Sequence, residues 1–151
     1  MNILDDLKLQ YRTGGMVQKL IFWNIGCFLL SLVFFYSFSV GSFQIPTWIA
    51  LSSDFGTFIR TPWSLITFNF FHAGFLHLIF NLMVLHFSGR LFSTYFTDKQ
   101  LLGVYVLGGI FSGVTFVLSY IFIGKAGLLV GASGAIMAIL IATATYAPFM
   151  L

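Results

Sequence analysis

The sequence predicts an all-α, polytopic transmembrane helix bundle, and three observations carry that reading. Of the 151 residues, 59% are hydrophobic and 7% charged, with a mean hydropathy of +0.99; a soluble domain carries about 25% charged residues. The charges are also grouped. Charge-free intervals follow Lys19, Arg60, Lys99 and Lys125, and each can hold the ~20 apolar residues that a bilayer core requires. Finally, twenty phenylalanines do not suit a water-facing surface.

Residues 1–19, MNILDDLKLQYRTGGMVQK, form an amphipathic leader. Gly14-Gly15 breaks any helix there, and Ile3, Leu4, Leu7 and Leu9 can lie on a membrane surface or simply belong to a frayed terminus. The first span covers about Leu20 to Phe38; its length and the polar leader before it exclude a cleavable signal peptide. Residues 41–64 hold Pro46, Trp48, Pro62 and Trp63 and read as an interfacial loop, since tryptophan favours the headgroup level and proline interrupts helices. The second span covers about Leu65 to Phe87, the third about Leu101 to Ile123, and the fourth about Ala132 to Leu151. Residues 20–151 therefore form one membrane domain.

Lys8, Arg12, Lys19, Arg90 and Lys99 fall on one side of the bilayer and Arg60 and Lys125 on the other. The positive-inside rule then puts the N-terminus in the cytoplasm, and Ser133 and His77 toward the outer face. The net charge of +3 and pI of about 9.2 do not indicate nucleic acid, because the basic residues are scattered at span ends. Cys27 lies alone in an apolar run and reads as a small buried residue. No metal or cofactor is expected: three histidines without nearby cysteine or carboxylate make a poor zinc site.

Polar groups inside a bilayer are costly without partners. His77 and Asn81, four residues apart, share one helical face. Together they offer a ring N–H and an amide NH2, donors that can stabilise an oxyanion in a water-poor site. By itself the pair is better read as interhelical hydrogen bonding that holds the bundle together. His86 points to the opposite face, ~13 Å further along the axis. His72, near the outer end, is where water and backbone groups can satisfy it. In the third span Gly109 and Gly113, and Gly108 and Ser112, form small-xxx-small pairs suited to close helix packing. Gly134, Ala138 and Ala142 form a similar stripe in the fourth, with Ser133 beside its top. No neighbour for that stripe is evident in the sequence. The expectation is that it faces lipid and that the chain folds poorly alone.

In combination, HAGFLHLIFN in the second span, the glycine-rich third span and GASGA opening the fourth resemble the rhomboid intramembrane serine proteases. That family pairs His-x-x-x-Asn on its second span, here His77 to Asn81, with Gly-x-Ser-Gly at its nucleophile, here Gly131 to Gly134. The resemblance covers about residues 20–151. It implies Ser133 as nucleophile, the Ser133 N–H, Asn81 and His77 as the oxyanion hole, Gly131 keeping the approach open, Gly134 completing the motif, and His72 helping to retain water. It also implies transmembrane protein substrates with helix-destabilised segments near the outer face.

Three features depart from the family pattern. Trp63 is followed by Ser64 where rhomboids often have arginine, and Phe92 stands where a glutamate is often found. No histidine follows Ser133, whereas the family's base lies on a sixth span. The sequence therefore reads as about four spans of an expected six, incomplete at its C-terminus. The alternative is a catalytically inactive rhomboid-like protein that binds membrane clients without cleaving them. The oligomeric state is not legible.

Overall fold

The computed structural model describes residues 2–148. In chain order it contains α1 (Ile3–Thr13), α2 (Met16–Phe34), β1 (Tyr36–Ser37), β2 (Ser42–Phe43), β3 (Leu51–Ser52), α3 (Phe55–Arg60), α4 (Ser64–Thr67), a 3₁₀ turn (Phe68–Phe70), α5 (Phe75–Phe92), α6 (Asp98–Ile123), β4 (Leu128–Leu129) and α7 (Ser133–Tyr146). Helices α2, α5 and α6 are long and apolar enough to cross a membrane, and α7 is a shorter apolar helix. All four fall in the charge-poor intervals. The protein is an integral membrane helix bundle. Residues 149–151, the end of the expected fourth span, lie outside the described residues.

Local signals set the helix ends. Gly14 and Gly15 separate α1 from α2, as the sequence suggests. The Thr97 and Gln100 side chains each bond the other's backbone N–H, a capping box opening α6, and Gly124 closes that helix at φ +69°, a conformation glycine adopts without penalty. The Asp54 carboxylate caps α3 by accepting from the Thr57 N–H at 2.8 Å. The hydrogen bonds to Thr57 hold its carboxyl below the usual range.

The second span begins later than the hydropathy indicates. Residues 64–70 form α4 and the 3₁₀ turn, Phe71–Gly74 is not helical, and α5 starts only at Phe75 and runs on to Phe92. The run from Leu65 holds no charge or proline, and the marks of the break are Asn69, His72 and Gly74.

Packing contacts give the helix directions. Val17 meets Gly89 and Phe28 meets Phe75, so α2 and α5 are antiparallel. A Cβ at Gly108 would strike Ala138, and one at Gly134 would strike Ser112, so α6 and α7 are antiparallel and in close contact. This corrects the expectation for the small-residue stripe: it faces α6, not lipid. The two glycine pairs of α6 serve different neighbours. Gly108 and Ser112 meet α7, while Gly109 lies against the Asn69 side chain and Gly113 against Leu51, Phe68 and Leu65. The core of Leu20, Leu85, Phe92, Leu101, Tyr105, Ile136 and Ile139 joins the four long helices.

Residues 41–64 are more than a surface loop. Trp48 and Trp63 are exposed, but Ile49, Ala50 and Leu51 are buried. β3 pairs antiparallel with β4, and Ser53 and Gly127 exchange two further hydrogen bonds. Non-helical backbone at membrane depth needs such partners.

The two classes of glycine in α6 should respond oppositely to substitution. Gly103 has nothing within 4 Å of an added Cβ, whereas at Gly109 the Cβ would lie 2.5 Å from the Asn69 amide. Gly103→Ala is expected to stabilise the bundle by about 0.5–1 kcal/mol. Gly109→Ala is expected to cost about 1–3 kcal/mol through overpacking. Reversible unfolding in detergent reads both.

Candidate active site

Ser133 is the first residue of α7, and its depth follows from the α6–α7 register. With Gly134 level with Ser112, α6 continues roughly ten residues beyond Ser133, about 15 Å at 1.5 Å per residue. The chain returns from the end of α6 to this depth through residues 124–132. β4 ties that return to β3, and the Gly131 N–H donates to the Phe68 carbonyl at 2.9 Å. The structure thus sets the serine below the end of α6, on an exposed face of α7.

Six hydroxyls in the long helices are committed. Ser31, Ser88, Thr115, Ser119, Thr143 and Thr145 each donate to the carbonyl four residues back, the usual way to satisfy Ser and Thr in an apolar helix. Ser133 opens its helix and has no helical carbonyl at that position. It is exposed, and it sits where the first N–H groups of α7 have no intrahelical partners and the helix dipole is positive.

Across from it stands α5. Ser133, Ile136 and Met137 of α7 and His77, Phe80, Asn81 and Val84 of α5 line one groove of about 240 Å³. The structure therefore brings together Ser133, His77 and Asn81. The Asn81 Nδ2 donates one hydrogen to the His77 carbonyl at 2.8 Å; an amide nitrogen carries a second. Gly131 has φ +122°, and a Cβ there would lie 2.7 Å from the His77 ring. The glycine is thus required twice, by its backbone conformation and by the imidazole packed against it. Gly134 is in the seam against Ser112.

His72 lies in the non-helical link before α5, its ring 5.1 Å from that of His77. The sequence suggests that water and backbone groups satisfy it near the outer end. Instead it is fully buried, and neither ring nitrogen has a hydrogen-bond partner among the described residues. His86 is exposed at the other end of α5, where it lines a cleft with Gly14, Gly15 and Arg90, far from the groove as its spacing predicts.

The model of the Rhomboid domain matches residues 60–150, more than half of the chain. The chain belongs to the rhomboid family. No curated protein and no solved structure matches it. The matched rhomboid segment contains His72, His77, Asn81, Gly131, Ser133 and Gly134. Of the two positions that depart from the rhomboid pattern, Ser64 is buried with no partner for its hydroxyl among the described residues, and Phe92 stacks on Phe96, which meets Tyr146 of α7 edge-on.

Several supports of the groove have no motif. Asn69 and Tyr105 link the 3₁₀ turn to α6 through the Tyr105 hydroxyl, which donates to the Asn69 carbonyl at 3.2 Å and accepts from Asn24 of α2 at 3.2 Å. Asparagine is costly in a span without partners, and that is the signal by which Asn24 and Asn69 could have been found.

Gly131→Ala should destabilise the protein by about 1–3 kcal/mol from its backbone conformation alone, with an added cost from the imidazole. In a His77→Ala background only the second cost disappears. A double-mutant cycle on unfolding free energies should therefore show coupling between the two positions. Strictly additive effects would mean that Gly131 and His77 are not in contact.

Proposed function

We propose that the protein is an intramembrane serine endopeptidase that cleaves transmembrane protein substrates. The observation that carries this reading is the groove itself. It gathers a serine free of intrahelical bonding, a ring N–H and a carboxamide NH2 at the positive end of α7, below the end of α6. Donors placed in advance around a developing oxyanion in a low-dielectric site are usually the largest contribution to acyl transfer.

In this mechanism the Ser133 Oγ attacks a peptide carbonyl carbon while a base takes its proton. The carbonyl oxygen becomes an oxyanion and accepts hydrogen bonds from the Ser133 N–H, the His77 ring and the Asn81 amide. Collapse breaks the C–N bond, and the base returns its proton to the leaving amine. Water then hydrolyses the acyl-serine by the same route. Gly131 leaves room for the substrate backbone, and His72 braces His77. Phe80, Val84, Ile136 and Met137 give the groove apolar walls suited to a segment arriving from lipid.

None of the three histidines present takes the part of the base. His77 belongs to the oxyanion site, His72 is buried behind it, and His86 is on the far side of α5. In the family pattern the base is a histidine on a sixth span. The same reading puts the N-terminus in the cytoplasm, with the groove opening toward the outer face.

The test uses the protein from its native membrane, reconstituted with a transmembrane substrate bearing a helix-destabilised segment. Ser133→Ala should abolish cleavage. Asn81→Ala and His77→Ala should each lower kcat about 10²–10³-fold, the usual loss for one oxyanion donor. Binding of the substrate without cleavage by the unaltered protein would overturn the protease assignment and favour a client-binding role.

A further inference from the structure

Helix α1 contributes no buried residue to the bundle, yet it is strongly two-sided. At ~100° per residue, Ile3, Leu4, Leu7 and Tyr11 fall within an arc of about 100°. Asp5, Asp6, Lys8, Gln10, Arg12 and Thr13 occupy the rest, with Leu9 alone among them. Ile3 is 76% exposed and Leu4 62%. An 11-residue helix is marginal in water by itself, so a stripe of this kind needs a surface to cover it.

Two contacts of Tyr11 say which surface. Tyr11 lies on the stripe, and its ring meets Phe22 edge-on at 5.9 Å, while its hydroxyl accepts from the Trp23 indole at 3.2 Å. Phe22 and Trp23 lie six and seven residues into the membrane-spanning α2, about 10 Å along its axis. The stripe therefore faces toward the hydrocarbon, not away from it. The hinge fixes the level. Gly14 and Gly15 line a cleft of about 410 Å³ together with Gln18, His86, Arg90 and Asp98, the polar ring where α5 gives way to α6. Such residues belong among lipid headgroups. Gly14 makes the turn possible, since a Cβ there would lie 2.5 Å from the Gln10 carbonyl oxygen and 2.8 Å from Gln18.

We propose that α1 lies in the plane of the bilayer interface, with Ile3, Leu4 and Leu7 in the acyl boundary and Lys8 and Arg12 among the headgroups. Its two aspartates balance its two basic residues, so the contact is apolar and does not need anionic lipid.

The test places a spin label on the full chain in phosphatidylcholine nanodiscs, with Cys27→Ala as background. Labels at positions 3 and 7 should be several-fold more accessible to oxygen, relative to a water-soluble nickel chelate, than labels at 8 and 12. Raising salt should leave that ratio unchanged. Equal ratios at all four positions would put α1 in water, and protection from both probes at 3 and 7 would put the stripe against protein; either overturns the proposal. A measurement without labels reads the same point. Leu7→Asp should make trypsin cleave after Arg12 several-fold faster in nanodiscs, and an unchanged rate would count against the anchor.

Discussion

The close approach of α6 and α7 is the contact on which the site depends. Lipid tails are as apolar as leucine, so burying large apolar side chains between membrane helices gains little over leaving them in lipid. Association rests on dispersion contacts at short range, and those require small residues. Gly108 and Ser112 on one helix and Ala138 and Gly134 on the other provide them. This seam fixes the axial register of α7, and the register fixes the depth of Ser133. Because α7 also packs along α5, the same register sets Ser133 opposite His77 and Asn81.

A second constraint shapes the approach to the serine. The chain must travel from the end of α6 to Ser133 without helical hydrogen bonds, in surroundings that supply few others. The β3–β4 pair, the Ser53–Gly127 bonds and the Gly131–Phe68 bond meet that demand. The first loop therefore acts as a scaffold for the segment that leads to Ser133. Gly131 is where these demands converge: its N–H is held, its φ is positive, and its open side is filled by the His77 ring.

Much of this was legible in the sequence. The charge-free intervals located the long helices, and the spacing of His77 and Asn81 put both on one face. The leader broke at Gly14-Gly15 as its composition indicates, and the remote position of His86 followed from helical periodicity alone. What escaped notice is tertiary or non-periodic. The partner of the Gly134–Ala138–Ala142 stripe was already present in the glycines of α6, but a sequence does not say which of two small-residue faces meets which neighbour. The break at 71–74 carries no charge or proline, and Asn69, His72 and Gly74 are all that marks it in the sequence. The β3–β4 pairing joins residues far apart in sequence, within two-residue strands that carry no alternation. The burial of His72 depends on the same non-helical link, which turns its ring inward against His77.

The central claim is that Ser133 is a nucleophile within an assembled oxyanion site. It is tested most directly by treating the protein in its native membrane with a serine-reactive phosphonate and mapping the adduct by peptide mass spectrometry. The account predicts a single adduct on Ser133, lost in Ser133→Ala and strongly reduced in Asn81→Ala. Folded protein that leaves Ser133 unmodified, or carries the adduct equally on other serines, would contradict it.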